Sequence, residues 1–338
     1  MIIYIFSLFF ILLGIGILRN FPKNEGIKYT YSIIISCKNE EDNLIRLLES
    51  LQNIDYPKSH YEVIIADDFS TDKSWEIIKN FKMENLIPVK VKEENNDFHG
   101  KLNGLKTATS IAKNEILIFT DADCEVDKNW LNSYNNYFYE NTAMVVGYSP
   151  EINKNSYTNF AQKVPALIFS STIGLGVPFS CVGRNFALKR AVFSKIGGYE
   201  KIKGISSGDD KMMLNLVKKS GYKIKYNAEA PVKTFPVSGE KYRQQQKRRY
   251  GKLHQSSLGY KLLSILIFIF YIYLPIKSTT EILPILSYIF SAWFLWSSFI
   301  YIHKEKFKLS EYIFVIIHPY WMIFYSIIGN FGKKWQWK

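Results

Sequence analysis

Tyr61-Glu62-Val63-Ile64-Ile65-Ala66-Asp67-Asp68 is an apolar, largely β-branched run that closes on two adjacent carboxylates. A run of this length and content reads as a strand buried on both faces, as in a parallel sheet. Upstream, Tyr31-Ser32-Ile33-Ile34-Ile35-Ser36 has the same character. Between the two, Asn39 offers an N-cap, and Leu44, Leu47, Leu48 and Leu51 fall at helical spacing. Downstream, a helix places Trp75, Ile78 and Phe81 on one face; 87–91 reads as a third strand and 115–120 as a fourth, ending at Asp121. Strand and helix alternate, which argues for an α/β fold with a doubly wound sheet. Ligands of such sheets bind beyond the carboxyl ends of the strands. Both acidic groups, Asp67-Asp68 and Asp121-Ala122-Asp123, sit at such ends.

The rhythm breaks between 151 and 204. Gly174, Gly176, Gly183, Gly197 and Gly198, with Pro165 and Pro178, predict irregular backbone near a ligand. After a Gly208-Asp209-Asp210 turn, 211–219 reads as a helix with Met212, Leu214 and Val217 available for packing.

The 338 residues suffice for one sizeable domain with appendages, or for two domains. Their apolar content of 47% hides strong segregation. Residues 2–18 carry no charge and are followed by Arg19, Lys23 and Lys28. With no basic residues ahead of the run and no small-residue cleavage site behind it, the segment reads as an uncleaved anchor with its basic flank on the cytoplasmic side. Three more apolar runs, 262–276, 282–302 and 312–328, have Tyr and Trp near their ends, which fits membrane segments better than the core of a soluble enzyme. If all four runs span, Lys333, Lys334 and Lys338 fall outside, against the positive-inside tendency. His318-Pro319 in the last run therefore predicts a re-entrant or interfacial segment.

The formal charge of +13 needs a partner or a surface. The densest basic block, Lys241, Arg243, Lys247, Arg248, Arg249 and Lys252, directly precedes the first tail run, where it would face anionic headgroups. Membrane contact is thus favoured over nucleic acid, which is not expected as a partner. Cys37, Cys124 and Cys181 are far apart without metal-site spacing, and read as reduced cytosolic thiols.

Paired carboxylates at strand ends suit Mg²⁺ or Mn²⁺ carrying a diphosphate, because these ions take oxygen ligands and share their shell with substrate phosphates. Asp121 and Asp123 would point to one side if Ala122 is extended. In His99-Gly100-Lys101-Leu102-Asn103-Gly104-Leu105, a glycine lets backbone approach a phosphate and Lys101 adds a point charge. Gln246, Arg249 and Tyr250 share one face if helical, so an amide, a guanidinium and a ring could converge on a diphosphate or an acceptor. The bland readings are a polar turn for Asp121–Asp123, helix caps for Asp68 and Asp210, and a basic amphipathic helix on the membrane surface for 241–252.

Taken in order, Asp68, Asp121-Ala122-Asp123, Asp209-Asp210 and Gln246-Lys247-Arg248-Arg249-Tyr250 resemble the D, DxD, [ED]D, QxxRW signature of membrane-bound family 2 glycosyltransferases, from about residue 31 to 250. Tyr250 stands where that signature has Trp, Gly104 where the GKxxAL segment has Ala, and Lys38 where some members have an aromatic residue. The resemblance implies a GT-A-like Rossmann-type domain that binds a nucleoside diphosphate sugar, UDP-sugar favoured. It implies that Asp68 contacts the nucleobase, Lys101 the donor, Asp121 the ribose or sugar and Asp123 the metal, with Gln246, Arg249 and Tyr250 on the donor side. It implies that Asp210 is the general base, with a pKa raised by burial or by Asp209. Cys181, Gly183, Arg184 and Asn185, with Asp209, are candidates for the acceptor side.

The expected organisation is a membrane anchor over 1–20, a cytosolic catalytic domain over 28–240, a basic interfacial segment over 241–260 and membrane segments over 261–330. Similarity to ceramide glucosyltransferase-like and carotenoid glycosyltransferase-like members implies single inverting transfer to a lipid acceptor by an integral protein of a bacterial inner membrane. The alternatives are a processive polysaccharide synthase, for which a homo-oligomer would have to build the channel, and a non-catalytic membrane scaffold with a vestigial sugar site.

Overall fold

The computed structural model describes residues 1–20, 22, 26–92, 97–98, 100–153, 155–204, 208–235, 258–278 and 280–331. The chain forms two compact units, one of Gly16–Ile152 with Gln162–Phe235, the other of Met1–Ile15, Asn153–Ala161 and Pro236–Lys338.

Along the chain come α1 (Ile2–Leu18), β1 (Tyr31–Cys37), α2 (Glu41–Gln52), β2 (Tyr61–Asp67), α3 (Ser74–Asn80), β3 (Leu86–Lys90), α4 (Leu102–Ile111), β4 (Ile116–Phe119) and β5 (Cys124–Glu125). They are followed by α5 (Trp130–Asn135), β6 (Thr142–Gly147), α6 (Ser156–Gly174), β7 (Phe186–Lys189), α7 (Arg190–Lys195), α8 (Asp209–Lys219), β8 (Lys223–Asn227) and β9 (Lys233–Thr234). Three helices close the described chain: α9 (Leu258–Ser278), α10 (Ile282–His303) and α11 (Leu309–Phe331).

Seven strands form one sheet in the order β3-β2-β1-β4-β7-β6-β8. The four strands read from the sequence are all present and pair in parallel. β7 runs antiparallel to both β4 and β6, so the sheet is mixed at its centre. Alternate residues of each strand face opposite sides. Ile33, Ile35, Val63, Ile65, Ile116 and Ile118 are buried against Leu44, Leu47, Leu48 and Leu51 of α2 and Trp130 and Tyr134 of α5. On the other face α4 approaches β1 so closely that a Cβ on Gly104 would collide with Ser36 Oγ. That contact explains a glycine where an alanine was expected.

Several expectations are corrected. Asn39 does not cap α2: the helix starts at Glu41 without a side-chain cap, and Asn39 takes a left-handed φ of 56°. α8 begins at Asp209, so both aspartates lie in its first turn; Met213 rather than Met212 is buried. Within the supposedly irregular stretch, 156–174 is a 19-residue helix that contains Pro165. Its second half is held by α1: a Cβ on Gly174 would strike the Gly16 carbonyl oxygen, and Asn20 Nδ2 donates to Ser170 O at 2.8 Å. Close approach of this kind is what small residues permit between helices.

In the other unit, Phe6 stacks on Phe270 at 3.9 Å, and Tyr271 and Tyr288 bring their hydroxyls within 3.2 Å. Tyr157 OH meets His318 Nδ1 at 3.0 Å, and Phe160 lies between Trp296 and His318. α11 is one continuous helix through Pro319, not a broken re-entrant segment. Ile282–His303 and Leu309–Ile328 are long and apolar enough to cross a membrane, while Ile2–Leu18 and Ser264–Lys277 are shorter apolar helices.

Candidate active site

The carboxyl ends of β1, β2 and β4 open onto a pocket lined by Ser36, Lys38, Glu40, Asp68, Gly100, Lys101, Asp121, Ala122 and Asp123. The two loops that leave β1 and β2 bond to each other. Thr71 N donates to Asn39 Oδ1 at 2.8 Å, Asn39 N to Ser70 Oγ at 3.0 Å, Glu40 N to Ser74 Oγ at 2.8 Å and Lys73 N to Glu41 Oε2 at 2.9 Å. Asp68 N donates to Cys37 O at 2.8 Å, which carries the strand pairing one residue past β2 and leaves the Asp68 side chain nearly buried in the pocket wall.

Lys101 enters from the N-terminus of α4, after Gly100 turns the chain with a φ of 60°. Its ammonium lies 3.1 Å from Asp121 Oδ1. Burial alone would lower the Lys101 pKa, but Asp121, Asp209 and Asp210 together hold it above the usual range. Ala122 is not extended as expected: Ala122 and Asp123 form a turn, with Cys124 N donating to Asp121 O at 3.3 Å. The turn is imposed by β5, which pairs with β9. Asp123 Oδ2 accepts from Thr234 Oγ1 of that partner strand at 3.5 Å, and its Oδ1 from Cys124 Sγ at 3.3 Å.

Asp210 sits at the second position of α8, where its Oδ1 accepts from Lys211 N at 2.7 Å. Burial first, then neighbouring Asp209, raise its pKa to about 6, although Lys101 and the Lys211 amide pull the other way. Gly183 gives these groups room: a Cβ there would lie 3.1 Å from Lys101 Nζ and 3.5 Å from Asp210 Oδ2. Lys101 therefore spans Asp121 on one side and Asp210 on the other. Asp209 is buried beside them.

Asn185 does not line this opening. It is fully buried, its Oδ1 accepting from Trp130 Nε1 at 2.9 Å and Tyr134 OH at 2.7 Å, its Nδ2 donating to Tyr148 O at 2.6 Å. Arg184 is committed to Ser149, through Nε to Oγ at 2.7 Å. The three thiols are free and buried; burial pushes Cys37 up to about 12, and burial, Asp210 and Asp209 raise Cys181. Gln246, Arg249, Tyr250 and the basic block around them lie outside the described residues.

Glu40 is a pocket residue that the sequence pattern does not flag. Burial, then Asp123 and Asp121, raise its pKa, while Asn43 Nδ2 donates to it at 2.7 Å. Its one signal is position, directly after the loop that leaves β1. Among the described residues no three Asp, Glu, His or Cys side chains gather into a ready cation cage. The oxygen donors of Asp121 and Asp123 in a single turn nevertheless fit the chemistry of Mg²⁺ or Mn²⁺, which need one or two carboxylates when phosphates complete the shell.

Residues 32–197 match the profile of glycosyl transferase family 2 and 116–328 that of glycosyl transferase family group 2. A UDP-Glc:α-D-GlcNAc-diphosphoundecaprenol β-1,3-glucosyltransferase, WfaP of Escherichia coli, is 30% identical over 168 residues, 44% of this chain and 64% of that protein. The poly(ribitol-phosphate) β-N-acetylglucosaminyltransferase TarS of Staphylococcus aureus is 32% identical over 101 residues, 30% of this chain and 17% of its own. A β-monoglucosyldiacylglycerol synthase of Nostoc is 33% identical over 114 residues, 33% and 24% respectively. The chain thus spans from about a sixth to just under two thirds of these relatives. In three dimensions, a mannosyltransferase from Pyrobaculum calidifontis, solved with GDP-Man and Mn²⁺, superposes with a TM-score of 0.62 over 97% of this chain and 95% of its own, at 16% identity, a likeness of fold. One of the two family profiles takes in more than half of the sequence and includes β4, from whose end the Asp121–Asp123 turn departs, so this chain belongs to glycosyl transferase family 2.

Proposed function

We propose that the protein transfers a sugar from a nucleoside diphosphate sugar, UDP-sugar favoured, to the hydroxyl of a lipid or lipid-linked acceptor by one inverting displacement. The observation that carries this reading is that Lys101, paired with Asp121 in an acidic pocket, also borders the space over Gly183 beside Asp210, an acid of raised pKa. Asp68, which lines the pocket, would accept the N3–H of uracil. Asp121 would contact the ribose or sugar of the donor, and Asp123 would hold Mg²⁺ or Mn²⁺, which when bound neutralises charge on the departing diphosphate. Lys101 would exchange its contact with Asp121 for the diphosphate and so sense whether donor is present.

Asp210 then accepts the proton of the acceptor hydroxyl. The acceptor oxygen bonds the anomeric carbon from the face opposite the diphosphate, the bond from that carbon to the diphosphate oxygen breaks, and the nucleoside diphosphate leaves with the electron pair. A base of pKa about 6 is matched to neutral pH. Helices α1 and α9–α11 would lie in a bacterial inner membrane, the 28–240 domain on its cytoplasmic side and 241–260 at the interface, with Gln246, Arg249 and Tyr250 completing the donor side. The activities named for WfaP and the Nostoc synthase support a lipid-linked or lipid acceptor.

The test is a donor screen: the protein in lipid vesicles, each nucleotide sugar in turn with Mn²⁺, released nucleoside diphosphate measured and the product partitioned into organic solvent. Release with one donor and a discrete lipid-soluble product is expected. A water-soluble glycan that lengthens with time would establish the processive alternative, and no metal-dependent release or stabilisation with any donor would establish the scaffold.

A further inference from the structure

α6 ends in a rigid cap that exposes what such caps usually hide. Gly176, at a φ of 78°, donates to Ile173 O at 2.9 Å and Val177 N to Thr172 O at 2.9 Å, the paired bonds of a Schellman motif. The residue at the Val177 position normally covers the last helical turn. Here Val177 is 56% exposed and Phe179 39% exposed. The loop is not loose: Lys218 Nζ donates to Pro178 O at 3.2 Å, and Lys211 Nζ stands 4.8 Å from the Phe179 ring centroid. Two lysines of one α8 face thus tether the loop, one at the Pro178 carbonyl and one over the Phe179 ring, and Lys211 directly follows Asp210.

The cap touches the last turn of α1 at Gly16. A Cβ on Gly16 would lie 2.8 Å from Leu175 Cγ, so the end of α6 is in contact with the last turn of α1. Arg19 follows one residue after that helix closes. If α1 lies in the bilayer, its charged exit is at the headgroups, and the cap it touches is at the same level. Apolar tips flanked by lysines are the composition that favours an anionic interface.

We propose that residues 175–179 are a membrane-seated lip of the active site, inserting Val177 and Phe179 among the headgroups of an anionic bilayer while Lys211 and Lys218 meet the phosphates. The lip rests on the functional reading above and deepens it: it fixes the height of Asp210 over the membrane, so that a hydroxyl at the headgroup level reaches the base without the lipid leaving the bilayer.

The test places an environment-sensitive fluorophore on Val177→Cys and, for comparison, on Glu49→Cys of α2, in full-length protein reconstituted into phosphatidylcholine vesicles containing phosphatidylglycerol. The native thiols are buried, so unsubstituted protein gives the labelling background. The Val177 label is expected to shift to the blue and to be quenched by lipids spin-labelled near the headgroup, while the Glu49 label is not. Equal, weak quenching at both positions overturns the lip. A blue shift already present in detergent and growing with protein concentration overturns it in favour of a second copy of the chain. Val177→Asp is expected to raise KM for the lipid acceptor with donor hydrolysis unchanged, and Val177→Leu to restore it; unchanged acceptor KM in Val177→Asp also overturns the lip. If no lipid is glycosylated by any donor, the functional reading fails while the quenching still decides the lip.

Discussion

Lys101 reaches Asp121 across 3.1 Å and at the same time borders the space over Gly183 into which Asp210 projects. One cation therefore sits between the acid proposed to bind donor and the acid proposed to take a proton. Lys101→Met should weaken donor binding about 10- to 100-fold, the worth of a hydrogen bond to a charged group. Because Lys101 lowers the Asp210 pKa, its loss should also move the acid limb of the pH–rate profile upward. Unchanged donor affinity together with an unmoved limb would remove Lys101 from both roles.

Asp210→Asn should bind donor and metal nearly normally and lose transfer by about 10²- to 10⁴-fold. In the unsubstituted protein kcat/KM should rise with pH through about 6, as the base ionises. The stability effect has the opposite sign. A carboxyl whose pKa is raised from 3.8 to about 6 binds more protons in the folded than in the unfolded chain between those values, so stability falls as pH rises through that window. Asp210→Asn lacks the buried charge, and its Tm relative to the parent should therefore increase from about pH 4 to about pH 7. Thermal melts across that range check the sign.

Asp123→Ala should abolish Mn²⁺-dependent stabilisation by a UDP-sugar while leaving the melt of the free protein close to that of the parent, since among the described residues the carboxylate accepts from Thr234 Oγ1 at 3.5 Å and from Cys124 Sγ at 3.3 Å. Identical Mn²⁺-dependent shifts in mutant and parent would remove Asp123 as a ligand.

Asn185→Leu is expected to behave in the reverse manner. It strands the buried donors of Trp130 and Tyr134, at about 1–3 kcal/mol for each unsatisfied group. Protein that does fold should keep its affinity for donor, as measured by calorimetry; a selective loss of acceptor binding would return Asn185 to the pocket.

The parts of the fold that the sequence foretells are those governed by short-range periodicity. Leu44, Leu47, Leu48 and Leu51 are all buried because a 3.6-residue repeat leaves one face for them. What escapes are features held by distant partners. α6 is written with Pro165 and Gly174, which local propensity counts against a helix, and its second half is stabilised by contact with α1. The turn at Ala122-Asp123 follows from pairing between β5 and β9, two short strands far apart in the chain. The start of α8 is missed by two residues because aspartates suit the first turn as well as the cap, the helix dipole favouring negative charge there. In the site, Asp68, Lys101, Asp121 and Asp123 are brought to one pocket, whereas Glu40 joins them through loop geometry that no spacing reveals.

The contact between Gly16 and Gly174 has a practical consequence for handling the enzyme. Removing residues 1–20 to obtain a water-soluble catalytic domain would uncover the Ser170 carbonyl to which Asn20 donates, and the part of α6 against which Gly16 packs. Such a truncation is expected to aggregate or to lose the α6 cap, and low activity in it would report that damage and not the enzyme's need for a membrane. A soluble form should instead keep Gly16 to Asn20 and polarise the outward side of α1, at Leu8, Leu12 and Ile15, where the side chains are exposed.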